Sequence, residues 1–334
     1  MKFLKILMIS VIAILAIATT YVFFSEGEAV ESEDKVTIRF AHGQPENNER
    51  HKAALRFKEL VEERSDNMEV LIYPNEQLGS EAEMIESVTL NDLQMVAASA
   101  FSQYNQSLSI FELPYLFDTY EEAWEVLDGE IGEEAAKPLL EDNLRIIAYF
   151  ENGIRHVTAN KPIESTDDFR GLNIRTPEFP LSLATFQALG ANPTPMAFGE
   201  LYMALQQGTV DAQENPVSNV YASRFQEVQQ YLNMTGHQYM PLPVAISDDF
   251  WKTLSQEQQK IVESSAKEAA HYHRDLIVEN EQKTLEKLKE EGMEVVRPDT
   301  EQFREETEPV YDRYRQQFGD EVLDKILEQL GRNE

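Results

Sequence analysis

Apolar and polar residues alternate along VTIRFAH, with Val36, Ile38 and Phe40 on one side, which is the period of a half-buried strand. The period then becomes helical. HKAALRFKELVEER sets Ala54, Phe57, Leu60 and Val61 on one face, and MEVLIYP returns to strand. The same rhythm repeats through EAEMIESVTLND (helix), LQMVAASA (strand), TYEEAWEVLDGE (helix, with Asp118 and Glu121 spaced for a capping box) and LRIIAYFE (strand). A second series starts near Gly153, with strands GIRHVTAN, LNIRTP and TVDAQE and helices LSLATFQAL and FGELYMALQQ, the last closed by Gly208. Residues 255–291 form an almost unbroken helix, opened by Ser255 with Gln258 three positions on and stopped by Gly292. At about 1.5 Å per residue it is about 55 Å long. Its expected apolar stripe is Ile261, Ala266, Ala269, Tyr272, Leu276, Leu285 and Leu288. Strands alternating with helices predict an α/β protein whose sheets are mostly parallel and covered by helices.

The chain has 334 residues, which suits two domains of ordinary size. Acidic residues outnumber basic ones 60 to 29, a formal net charge of -31, which argues against nucleic acid as a partner. Cysteine is absent, so disulfides, thiolate chemistry and thiolate metal sites are excluded, as is a lipoprotein anchor. Residues 1–24 start basic (Lys2, Lys5) and run apolar from Ile6 to Phe24, which reads as an export segment. It is either a signal peptide, with Ala16 and Ala18 giving an A-x-A cleavage option, or an N-terminal membrane anchor. Residues 25–34, SEGEAVESED, read as an acidic linker.

Arg175 is the leading candidate for chemistry. It lies in GLNIRTPE, where Pro177 removes a ladder donor and ends the strand, so the guanidinium falls near a strand end, where α/β proteins bind ligands. A guanidinium is a rigid planar fork that matches a carboxylate with two parallel hydrogen bonds. The alternative is a salt bridge to a neighbouring acid.

GIRHVTANKPI (153–163), PTPMAFGELYMALQQGTVDAQENP (193–216), YPNEQLGSEAEMIE (73–86), FELPYLF (111–117) and the long late helix occur in an order and spacing that resembles the DctP-type solute-binding subunits of tripartite ATP-independent periplasmic (TRAP) transporters. The resemblance spans nearly all of the chain after the linker. It implies a two-domain periplasmic-binding-protein-like fold, each domain a mixed sheet flanked by helices, with the long helix spanning both. Domain I would comprise 35–152 plus about 241–280, and domain II 153–240 plus about 281–334, with the ligand cleft between them. The implied function is extracytoplasmic capture of a small organic acid, a C4-dicarboxylate or sugar acid, and delivery to a TRAP membrane permease driven by a sodium gradient. No cofactor or metal is implied. Membrane association would come through the permease, and through the N-terminal segment if that is retained. A solute sensor presenting its acid to a receptor kinase is the alternative.

Within that resemblance Arg175 pairs with the ligand carboxylate and Arg155, in NGIRHVT, is a second cation unless it forms an inter-strand ion pair. Asn215, held extended by Pro216, would hydrogen-bond the ligand, unless it serves a turn. Phe198 would pack on the carbon skeleton. His42, Glu81 and Phe101 from the first domain, and His237, complete the expected set. Where sialic-acid-binding members carry an acidic residue in the third strand this chain reads AASA (97–100), and their Asn after the first strand is replaced by Gly43. Both departures argue against sialic acid. Enzyme readings lack support: G-x-S-x-G, H-E-x-x-H, G-x-G-x-x-G and Walker A patterns are all missing. His271 and His273 are two apart on a helix and face different ways.

Overall fold

A computed structural model describes residues 35–332, so the export segment and linker lie outside the described residues. Among the described residues no helix is long and apolar enough to cross a membrane. The described residues form nine strands: β1 Val36–His42, β2 Met68–Tyr73, β3 Met95–Ala97, β4 Leu144–Ala159, β5 Asn173–Thr176, β6 Asn192–Pro195, β7 Ala212–Asn215, β8 Tyr231–Ser247 and β9 Glu294–Val296. They make one mixed sheet in the order β2-β1-β3-β8-β4-β7-β5-β6, with β9 added to β8.

The two series of elements therefore share a sheet instead of owning one each. LRIIAYFE and GIRHVTAN are a single 16-residue strand, β4, and β8 runs for 17 residues antiparallel to it. The far end of β8 pairs with β3 and its near end with β9, while the far end of β4 pairs with β7. These two ribbons bridge the halves. Pairing is parallel toward the flanks (β1 with β3, β5 with β6 and β7) but antiparallel in the middle, which corrects the mostly parallel expectation. Gly153 permits the bridge. It has φ +112, follows a register shift in β4, and a Cβ there would lie 3.1 Å from Pro216 Cβ.

The long helix is Gln256–Glu290, and its capping box is present in both directions: Gln258 N–H donates to Ser255 Oγ at 3.2 Å and Ser255 N–H to Gln258 Oε1 at 2.9 Å. It packs on helix Glu49–Arg64, on β4 and on helix Val217–Ala222, so it touches elements of both series. Ala266, Ala269, Leu285 and Leu288 of the expected stripe are buried, and Ile261 and Leu276 partly so, whereas Tyr272 is 38% exposed; the buried face also takes in Val262, His273, Arg274 and Ile277. His271 is exposed and His273 buried, as their spacing requires. The helix at residues 120–127 is capped by Thr119 through Glu122, one residue later than the Asp118 and Glu121 box.

The second series has its own core of Val157, Phe169, Ile174 and Phe186, which Phe303 joins. Farther along the C-terminal segment, Val310, Tyr314, Leu323 and Ile326 share a cluster with Phe111 and Leu116 of the first series and with Phe179, Leu181 and Tyr239 of the second.

Candidate functional site

β5 ends at Thr176, where Pro177 denies it a further ladder bond and Pro180 opens helix Pro180–Ala188. Arg175 is thereby left at the strand's end, 3% exposed, beside Thr194 of β6 and Gln213 of β7. Its Nε and Nη2 donate to a single backbone carbonyl, Met196 O, at 2.9 and 2.6 Å. A neutral carbonyl orients the fork without cancelling its charge, and Nη1 has no protein partner among the described residues. The Phe198 ring flanks the guanidinium, 6.0 Å from its centroid. Burial, and then the neighbouring Arg155, lower Arg175 to about 10, so it stays charged at neutral pH.

Around it opens a cleft lined from both series of elements. Arg155, Asn215, Phe198 and Glu81 line it together with Arg175. Arg155 also forms the inter-strand ion pair considered as its alternative. Its Nε and Nη2 engage the Glu214 carboxylate, Nη2 to Oε1 at 2.8 Å, and Nη2 also donates to Glu214 O at 2.7 Å and Asn215 Oδ1 at 3.2 Å. Burial alone would raise the Glu214 carboxyl, but the Arg155 charge and the His237 hydrogen bond hold it at about 2. Arg155 therefore brings the cleft almost no net charge, and its Nη1 meets only the weak acceptor Met240 Sδ at 3.7 Å. Asn215 is nearly saturated: Oδ1 accepts from Arg155 and Asn219, and Nδ2 donates to Gln213 Oε1 at 2.5 Å.

Three expected residues, His42, Phe101 and His237, lie outside this lining. His42 falls on the side of β1 under helix Glu49–Arg64, fully buried. Its Nδ1 accepts from Gln44 N–H at 3.3 Å, so Nε2 carries the proton and donates to His51 Nδ1 at 3.1 Å. Phe101 is packed into the hydrophobic core, and its neighbours Ala100 and Gln103 reach the cleft instead. His237 is a layer deeper, between Thr235 Oγ1 at 2.9 Å and Glu214 Oε2 at 3.2 Å, where burial pushes its pKa down and keeps it neutral.

Sequence reasoning missed Arg50, Glu76, Asn152 and Asn219, all in the lining. Arg50 Nη1 donates to Glu81 Oε1 at 2.8 Å and Nη2 to Asn152 Oδ1 at 2.9 Å. Asn219 Nδ2 reaches Asn152 Oδ1 at 3.2 Å and Asn215 Oδ1 at 3.4 Å, so a polar chain runs without a break from Glu81 to Glu214. A signal for Arg50 existed: a cation in the first turn of a helix opposes the helix dipole, so another interaction must hold it. Asn75 and Glu76 both have positive φ (56 and 54), which nothing about Glu76 foretells. That turn carries the Glu76 carboxylate to the second series, where Gly199 N–H donates to it.

Two half-sheets joined by long ribbons, with a buried guanidinium in the cleft that no carboxylate contacts directly, define a binding protein for a small anion. The chain belongs to the family described as bacterial extracellular solute-binding protein, family 7 (DctP), whose pattern matches residues 40–317. It is 35% identical over 286 residues to the 2,3-diketo-L-gulonate-binding periplasmic protein YiaO of Escherichia coli, covering 84% of this chain and 87% of that protein. A TRAP periplasmic solute-binding protein from Polaromonas sp. JS666, solved with D-erythronate, superposes with a TM-score of 0.85 at 35% identity, covering 87% and 98% of the two chains. Another from Shewanella oneidensis, solved with succinate, gives 0.84 at 29% identity over 88% and 98%. The chain is thus a solute-binding component of the TRAP type, and it works outside the cytoplasm. Its family functions in transport alongside TRAP membrane subunits.

Proposed function

We propose that the chain captures a small organic acid in this cleft, hands it to the TRAP membrane subunits and performs no chemistry on it. The observation that carries the reading is Arg175, a buried charge aimed by one carbonyl and bonded to no carboxylate among the described residues. A ligand carboxylate on its free edge would fill that place through charge-assisted hydrogen bonds worth about 1.5–3 kcal/mol each. Arg155 Nη1, Asn215 and the Phe198 ring would orient the rest of the acid, with Glu81 bracing Arg50 opposite. The lobes we assign, 35–152 with about 241–280 and 153–240 with about 281–334, would close by bending β4 and β8. Closure is favoured only to the extent that the ligand binds the closed form more tightly than the open one. Glu76 meeting Gly199 is the kind of contact such closure makes. Docking on the permease, and the N-terminal segment if it is retained, would hold the protein at the membrane.

Relatives solved with D-erythronate and with succinate make both acid classes the first to try. A thermal-shift screen of hydroxy acids, dicarboxylates, keto acids and neutral sugars tests the reading. Acids should raise the melting temperature and neutral sugars should not. A neutral sugar as the best stabiliser, or turnover of a bound acid, would reject it. The sensor alternative has no support in the relatives named above.

A further inference from the structure

The charges lining the cleft can be paired off. Arg50 is met by Glu81 at 2.8 Å, and Arg155 by Glu214 in a buried multidentate pair. Arg175 and Glu76 remain inside the cleft, with Glu178 exposed at its margin. The first is bonded to a neutral carbonyl only, and the second has one oxygen on Gly199 N–H while the other, Oε1, is buried with no partner among the described residues. Their charges are opposite but no hydrogen bond joins them, so Arg175 keeps a free edge for one ligand carboxylate. A second carboxylate would enter a space that already holds Glu76 and Glu81, where the other two cations are spoken for.

The crowding of these two acids is built in. Gly43 lacks a side chain, and a Cβ at that position would meet Glu81 Oε1 at 3.2 Å and Glu76 Cγ at 3.6 Å. What the unpartnered Glu76 oxygen calls for is a donor, and a hydroxyl is the smallest group that supplies one without charge.

Resting on the reading that this cleft binds an organic acid, we propose that its ligand is a polyhydroxylated monocarboxylate, with Glu76 accepting a ligand hydroxyl and opposing a second carboxylate. Glu76 is then the specificity-determining residue. Burial and the adjacent Glu81 raise its carboxyl to about 7. A dicarboxylate is therefore admitted only with a proton on Glu76, which adds a second readout.

Isothermal titration calorimetry at pH 7.5 with carbon-matched acids tests this: D-erythronate against succinate, and L-gulonate against adipate. In the wild type the better hydroxy acid should bind at least tenfold more tightly than its matched dicarboxylate. Glu76→Gln, checked for an unchanged fold by its melt, should narrow that ratio at least tenfold, and any succinate binding by the wild type should take up a proton, seen by comparing buffers of different ionisation enthalpy. Dicarboxylates binding as tightly as their hydroxy acids, or a ratio that Glu76→Gln leaves unchanged, would overturn the assignment of Glu76. Arg175→Lys separates the two ideas, since it should weaken every acid alike. If it weakens none, or if no acid binds the wild type, the reading of the cleft fails and the proposal falls with it.

Discussion

Replacing Glu214 by Gln keeps the shape of the side chain and an acceptor for Arg155 and His237, but removes the charge that neutralises Arg155. The pair is fully buried, with Glu214 at 0% and Arg155 at 2% exposure, so water cannot screen the guanidinium left behind. Arg175 and Arg50 stand close enough for their own ionisation to sense Arg155, so repulsion adds to the loss of solvation. Breaking a buried pair by removing one partner costs about 3–5 kcal/mol. A carboxyl held at about 2 against a reference of 4.5 corresponds to about 3 kcal/mol, which agrees. At about 2 °C per kcal/mol for a folded unit of this size, the melting temperature should fall by roughly 6–10 °C at neutral pH. The sign with pH follows. The depressed Glu214 contributes stability that is complete above about 4.5 and is lost as pH falls toward 2, so the gap between wild type and variant should shrink across that window. Urea denaturation of both proteins at pH 7 and pH 3.5 measures this. A difference below about 1 kcal/mol at pH 7 would refute the reasoning, because Arg155 would then have another source of compensation.

Arg175→Lys keeps the charge but loses the fork that spans Met196 O and the ligand, and should weaken acid binding tenfold or more, about 1.4 kcal/mol, by calorimetry. Gly43→Ala places a methyl 3.2 Å from Glu81 Oε1 and strains the Arg50 pairing. Denaturant titration should show a loss of about 1–3 kcal/mol, and an unchanged midpoint would mean Glu81 yields freely. Glu76 has a raised carboxyl pKa, so its contribution to ligand-free stability is present at low pH and is lost as pH rises through about 7. Melts from pH 5 to 8 should show the wild type falling relative to Glu76→Gln, and parallel curves would count against it.

Much of the fold was legible because it is written in short-range pattern. The capping box of Ser255 and Gln258 and the helix it opens, the strands at VTIRFAH and TVDAQE, and the strand end that Pro177 imposes on Arg175 each depend on a few adjacent residues. The joins between elements were harder. LRIIAYFE and GIRHVTAN read as two strands because Asn152 and Gly153 resemble a break, and only pairing with β8 along the whole length carries the chain through. On the long helix, two further buried positions were not legible for a related reason. His273 and Arg274 are polar, yet the protein around them supplies partners, with Arg274 bonded to Asp128 and Tyr149 O and His273 Nδ1 accepting from Glu151 N–H at 3.2 Å.

The sequence alone determined the element types, the export-like start, the acidic surface and the presence of a guanidinium at a strand end, since all of these follow from composition and from neighbours within a turn or two. Tertiary structure decided which charges cancel. Arg50 finds Glu81 across 31 residues and Arg155 finds Glu214 across 59, and only after those pairings do Arg175 and Glu76 stand out as unmatched. Local pattern is blind to this because Coulomb and hydrogen-bond partners are chosen by distance in space, which the chain acquires only on folding.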